Sequence, residues 1–315
     1  MHKFFNIVLL AFLFVFGMNL NAKVFFVDDN ATEGGDGTLW VNAYKYLQDA
    51  LSVVSDGDEI WVAEGTYKPD QGTLHNLGDR ASSFTLVPGV GLYGGFLGVE
   101  SKRDPQGDSN KTILSGEIDE NSTDWSLHVM YSVDLDSSSI LDGFFISSGY
   151  ADGQNAGNKG GGMYNQNSSP IVRNCYFSGN HANLQGGAIY NFNSSPSFID
   201  CVFSDNSVGT IVINGYGGGM YNSSSSPIIT NCTFLANKST YQGAGMWGIN
   251  CNSSIASCVF SGNQVSGNGG GAYFVNSAPS FLNSVIINNS GDFGGGIYVY
   301  SGSPSFYNCI VSNNT

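Results

Sequence analysis

Acidic side chains gather in one part of an otherwise weakly charged chain. Asp134, Asp136, Asp142 and Asp152 are close enough in sequence to fall on neighbouring turns of a fold. Glu117, Asp119, Glu120, Asp124 and His128 come just before them. Converging carboxylate oxygens suit Ca2+, which takes about six to eight oxygen ligands. The four aspartates are therefore the candidate metal ligands and Ca2+ the candidate cofactor, with a solvated acidic loop as the competing reading. Strand alternation would put Asp134 and Asp136 on one face. Arg80, Lys102, Arg103 and Lys111 are the bases near this acid. Glycosidic chemistry needs a defined carboxylate pair or a base relieved of charge, and no spacing here fixes either. No catalytic residue is assigned.

Two other sets carry chemistry-bearing groups. Tyr164, Tyr190, Tyr221, Trp247, Tyr273 and Tyr298 each follow a small or aliphatic residue directly, so the two rows must point to opposite sides of a strand. The hydroxyls favour the aromatic row as the outer one. Outward-facing rings would offer a sugar-binding platform, so these six are the candidate ligand-binding residues, against a packing role for the same rings. His75, His128 and His181 share no ligand spacing. His181 occupies a repeat position that other copies fill with Ser207, Lys238 and Gln264, which reads as surface.

What positions these residues is a repeat of about 26 residues, written six times from residue 160 to residue 315. Cysteines at 175, 201, 232, 258 and 309 mark its phase, with Ser284 standing at the missing step. Such a constant period means one supersecondary unit stacked on copies of itself. Ile171, Arg173, Cys175 and Phe177 alternate with period two, predicting one strand from Ile171 to Phe177 with the Phe, Cys and Ile positions inside. No stretch carries a 3.6-residue period, so helix is excluded there. The Gly-Gly-Gly corners supply positive φ and close backbone approach, and Ser-Ser-Pro turns the chain. Asn180, Asn206, Asn237, Asn263, Asn289 and Asn314 recur at one corner and predict a structural amide ladder. The in-phase cysteines should stack as buried free thiols, since parallel Cβ vectors fit a disulfide poorly. Cys251, out of phase, is expected to be exposed. The fold class is therefore all-β: a right-handed, single-stranded parallel β-helix with an N-terminal capping helix.

The first half is less regular. Residues 1–22 read as a signal peptide, with a short basic start, an apolar run from Phe4 to Leu20, and Asn21-Ala22 before a polar mature start. Residues 23–58 read as a strand and capping helix, with Tyr44, Leu47, Leu51 and Val54 as one apolar stripe over about ten residues. Residues 59–159 read as irregular early coils with loops, and 160–315 as regular coils. The chain stops midway through a copy, which suggests further coils beyond it. Net charge is −14, from 25 acidic and 11 basic residues with no basic block. That excludes nucleic acid and anionic bilayers as expected partners. No apolar run after the leader is long enough to span a membrane.

The glycine–aliphatic motif Gly187-Ala188-Ile189 with Phe177-Ser178-Gly179-Asn180 and Phe203-Ser204-Asp205-Asn206 resembles the repeats of chlamydial polymorphic outer-membrane proteins. Phe26-Val27-Asp28 and the run from Asp58 through Trp61 to Tyr67 are similar to the opening of bacterial parallel β-helix proteins of the pectate-lyase-like superfamily. That superfamily holds lyases, hydrolases, adhesins and surface proteins, so the resemblance implies a fold more than a reaction. Its lyases use carboxylate-bound calcium with an Arg or Lys base, and its hydrolases use aspartates on adjacent turns. Only the early coils carry enough acid for either. The expectation is a secreted or cell-surface, outer-membrane-associated β-helix protein with an adhesive, glycan-binding or structural role. Its partner would be an extracellular polysaccharide or a host or cell-surface glycan. The alternative is a carbohydrate-active enzyme, a polysaccharide lyase or glycoside hydrolase, with its site in the early coils.

Overall fold

Each of the first four repeats closes into one coil of four short strands, as in Ile189–Phe192, Ser197–Ile199, Val202–Ser204 and Ser207–Val208, and the last two carry three. The computed structural model describes residues 22–102, 111–118 and 124–315. Every strand in it pairs in parallel with its counterpart one coil away. The described strands make sheets of ten, nine, eight and five strands running along the stack. The result is a right-handed parallel β-helix, the hand expected of parallel crossovers. No helix among the described residues is long and apolar enough to cross a membrane.

Left-handed corners set the coil shape. Asn167, Asn174, Gly179 and Gly186 stand at four successive corners, with φ of 50°, 51°, 66° and 66°. Asparagine tolerates that region because its short amide bonds locally, so glycine holds only part of this work. At Gly187 the need is steric instead: a Cβ there would lie 2.4 Å from the Ser207 carbonyl oxygen.

The corners overturn one expectation. The stretch from Ile171 to Phe177 is two strands, Ile171–Arg173 and Tyr176–Ser178, broken at Asn174. The break shifts the alternation, so Val172, Cys175 and Phe177 are buried while Ile171 and Arg173 face outward. Gly143, at φ 85°, divides Ile140–Ile146 in the same way.

Inside, like stacks on like. Phe177, Phe203, Phe234 and Phe260 form a pile with ring centroids 5.3, 4.7 and 4.5 Å apart. The Asn180 to Asn314 ladder runs beside it. Asn206 donates from Nδ2 to Asn237 Oδ1 at 3.0 Å and to the Phe177 carbonyl at 2.9 Å. A second amide ladder, not expected from sequence, joins Asn165 to Asn191 and Asn191 to Asn222, each at 2.8 Å. All six cysteines are free thiols. Burial pushes the Cys175 thiol up to about 12.

Cys251 is a correction: it is wholly buried. It replaces serine in the interior column of Ser168, Ser194, Ser225 and Ser277, and its amide donates to Ser277 Oγ at 3.0 Å. Gly248 leaves room for it, since a Cβ there would lie 3.1 Å from the thiol sulfur.

The capping helix is also corrected. Helix is limited to Leu47–Leu51, with a 3-10 turn at Trp40–Asn42. Tyr46 is extended and offers no side-chain cap, and the β-branched Val53 and Val54 precede the turn at Gly57. The apolar stripe still packs on the core through Tyr44, Leu47, Leu51 and Val54. A mostly irregular segment supplies that contact. The expected leader lies, except for residue 22, outside the described residues.

Candidate functional site

The four candidate metal ligands have separate partners. Asp134 ends the strand Met130–Val133 in a left-handed conformation, and its Oδ1 accepts from Asn167 Nδ2 at 3.1 Å. Asp136 accepts from the Ser138 hydroxyl and amide, which together hold its carboxyl below its usual range. Asp142 is buried and accepts from Arg173 Nε and Asn174 Nδ2, both at 2.8 Å. Asp152 is paired with Arg80 at 2.5 Å. Only Asp134 and Asp136 share a surface hollow, together with Asp56. Among the described residues no three acidic, histidine or cysteine side chains form a metal-holding group. Strand alternation failed to gather them because the strand stops one residue before Asp134. Glu117 sits in an antiparallel bridge with Trp125, while Arg103, Asp119 and Glu120 lie outside the described residues.

The aromatic row is a stacked spine on the outer face of the eight-stranded sheet. The aliphatic row, Met163, Ile189, Met220 and Met246, is interior, as the alternation required. Tyr164, Tyr190, Tyr221, Trp247 and Tyr273 form their own buried cluster, flanked by half-buried Tyr131 and Tyr298. Tyr221 lies 4.5 Å from Trp247 at an interplanar angle of 3°, and Tyr273 lies 5.1 Å from Tyr298 at 10°. Only 4–6% of each buried ring residue remains exposed, so neighbouring rings and flanking loops cover the faces a sugar would stack on. Burial pushes the Tyr190 hydroxyl up to about 12. Lys159 sits 5.1 Å over the Tyr190 ring, its pKa lowered by burial. Beside the spine, Gln185, Tyr216, Gln242 and Asn268 bridge coil to coil. Gln242 Oε1 accepts from Trp247 Nε1 at 3.2 Å.

Tyr131 was missed from sequence. It belongs to an irregular coil with no glycine heading, although Met130-Tyr131 repeats Met163-Tyr164 and Met220-Tyr221. At this end of the spine His128 is buried, with Nδ1 3.0 Å from the Gly160 carbonyl and its ring 5.3 Å from Tyr164. Burial holds its pKa below the ordinary histidine value, against the opposing backbone bonds.

The five-stranded sheet brings together His181, Ser207 and Lys238, which the repeat alignment puts in one phase, and adds Tyr150 from the coil below. Tyr150, His181, Ser207 and Lys238 are register partners on successive coils. His181 Nδ1 is 2.9 Å from Ser207 Oγ, and its Nε2 is 3.2 Å from Asn183 Oδ1. Tyr150 stacks on the imidazole at 4.6 Å, and Trp125 packs on Tyr150 at 5.3 Å. Arg80 donates to the Trp125 carbonyl at 2.7 Å and ties Asp152 to this group.

A family model described as a right-handed beta helix region matches residues 131–280. Among solved structures, the chain is similar to the pectate lyase Pel9A at 12% identity and a TM-score of 0.47, covering 93% of this chain and 80% of that one. It is also similar to the pectin methylesterase PemA from Erwinia chrysanthemi at 11% identity and a TM-score of 0.45, covering 89% of this chain and 82% of that one. No curated protein matches the chain by sequence. Likeness of this order carries no argument about activity.

Proposed function

We propose that this is an exported, surface-displayed β-helix protein that binds an extended extracellular or cell-surface glycan along its flank. The observation that carries the reading is the row of Gln185, Tyr216, Gln242 and Asn268 beside the aromatic spine. Three amides and one phenol stand there, one per coil, at the strand spacing of about 4.8 Å. A polysaccharide laid along the axis advances by about one such spacing per sugar, so successive units meet similar donors and acceptors. Ring edges and hydroxyls, rather than ring faces, make the contact. The resemblance of the repeats to those of chlamydial polymorphic outer-membrane proteins fits display at a cell surface, and the apolar stretch from Phe4 to Leu20 fits export.

Affinity electrophoresis of the full chain in gels containing uronate or neutral polysaccharides tests the binding. Retardation should weaken severalfold in Gln242→Ala. It should not depend on Ca2+, because the candidate carboxylates are held by their own partners. Equal retardation of the variant, or none with any polymer, would remove the reading. A reporter fused behind residues 1–22 tests export separately.

A further inference from the structure

We propose that Ser207 and His181 form a nucleophile–base pair that hydrolyses O-acyl esters through an acyl-serine intermediate. The site lies on the five-stranded face and goes beyond the glycan-binding role.

Three observations converge on it. The first is the hydrogen bond itself, His181 Nδ1 to Ser207 Oγ at 2.9 Å. The Asn183 Oδ1 on the other ring nitrogen can only accept, so Nε2 carries the proton and Nδ1 presents its lone pair to the serine hydroxyl. That tautomer is the one a general base needs. Burial holds the His181 pKa below its ordinary value, with the Asn183 bond and the Asp152 charge opposing. The ring is therefore neutral near pH 7, and Tyr150 stacked beneath it fixes its plane.

The second observation is the shape of the surrounding chain. The connection after Ala182 needs only residues 183–184 to reach the bridge position Gln185. The coil below uses residues 152–158, and the coil above uses residues 209–215, to make the same connection. His181 and Asn183 thus lie on a coil with a short connection, between two coils whose connections are five residues longer. The upper loop follows the strand Ser207–Val208, and its tip carries Ile211 and Val212, both exposed. An exposed apolar pair on the connection that follows the nucleophile's strand offers a surface to an acyl chain.

The third observation is Lys238, in register with Ser207 on the next coil and exposed. From that register position its flexible side chain can bring an ammonium group to the oxyanion that forms when the serine attacks. In the reaction, Ser207 Oγ bonds to the ester carbonyl carbon and its proton moves to His181 Nδ1. The imidazolium returns that proton to the leaving alkoxide as the C–O bond breaks, releasing the alcohol. Water, deprotonated by the same nitrogen, then attacks the acyl carbon, and the imidazolium returns that proton to Ser207 Oγ as the acyl–Ser207 bond breaks and the carboxylic acid leaves. Ester and water become acid and alcohol, with no other reactant.

The full chain is tested with a fluorophosphonate probe and with p-nitrophenyl acetate. The expected result is an adduct mapped by mass spectrometry to Ser207, and an initial burst of p-nitrophenol. His181→Gln should slow both by about 10²–10⁴-fold, and Lys238→Ala should slow hydrolysis by about 10²-fold. Ser261→Ala, on another sheet, should leave both unchanged. Asn183 is a positioning residue. Its bond raises the His181 pKa, so Asn183→Leu should move the acid limb of the pH–rate profile to lower pH, with the Tyr150 ring, the Ser207 hydroxyl and the Asp152 charge, itself paired with Arg80, still acting on the imidazole. An unmoved limb would assign Asn183 a structural role. No Ser207 adduct on the unaltered protein, or one formed equally fast in His181→Gln, overturns the proposal.

Discussion

The coils before residue 160 and those after it share one architecture but satisfy their interiors differently. In the later coils each buried amide bonds to its own kind one coil away, as Asn237 does with Asn206 and Asn263 at 3.0 and 2.9 Å. Among the described residues, the buried side-chain polar atoms without a hydrogen-bond partner are Asp70 Oδ1, Ser132 Oγ, Asn158 Oδ1 and Asn165 Oδ1. Three lie in the early coils, and the fourth is the lowest oxygen of an amide ladder, facing the irregular coil below. Repetition does more than stack apolar rings. It guarantees that a polar group which cannot reach water meets an identical group with the opposite capacity free. Once the repeat lapses, that guarantee goes with it.

The largest expected effect comes from breaking a ladder where it is complete. Asn237→Ala removes the acceptor of the Asn206 amide and side chain, and the donor to the Phe203 carbonyl and Asn263 Oδ1. With several buried groups left unpaired at once, the loss should be about 3–5 kcal/mol. Ser132→Ala, equally buried but without a partner to lose, should change stability by under about 1 kcal/mol. Urea denaturation of both variants measures the contrast. Equal losses would mean that the early coils are as well satisfied as the late ones.

An intermediate effect should come from acid. His128 is buried in an early coil, and burial depresses its folded pKa. Its contribution is fully present above the unfolded value of about 6.5. It is lost as pH falls through the lower folded value, because the unfolded chain takes up the proton first. The coils around His128 and His181, whose pKa burial also lowers, should therefore loosen between pH 7 and pH 5 before the histidine-free coils beyond residue 209. Hydrogen exchange resolved by segment reads this directly. His128→Gln should flatten the pH dependence around residues 126–133, and an unchanged slope would assign the acid response elsewhere.

The sequence exposed the stacking readily, because one buried column of Phe, Cys or Asn per coil leaves a fixed period behind it. It hid the corners. Asn174 carries φ 51° in the middle of what reads as one alternating strand, and nothing in its type distinguishes it from an amide facing solvent. A single missed corner reversed the facing of Ile171 and Arg173, and the same error drew Asp134 toward Asp136 as though both lay on a strand. Cys251 misled for a related reason, since its phase was judged against the other cysteines when its true column is serine. The alignment did put His181 and Ser207 in one position. Position alone could not show the hydrogen bond between them or the Tyr150 ring stacked on the imidazole.

The smallest expected effect is a gain. Ser132 is the register partner of Asn165, and neither Ser132 Oγ nor Asn165 Oδ1 has a hydrogen-bond partner. Along this ladder Nδ2 donates upward, from Asn165 to Asn191 and from Asn191 to Asn222. Ser132→Asn would carry the pattern one coil further down, with its Nδ2 donating to the bare Asn165 oxygen. One buried amide bond contributes about 0.5–1.5 kcal/mol, offset by fitting a larger side chain beside Met130 and Met163. A net gain near 1 kcal/mol in urea denaturation would show that the early coils lack only the partner the repeat supplies. A net loss would show that the early coil is too narrow for an amide, so that the ladder ends at Asn165 for want of space rather than for want of a donor.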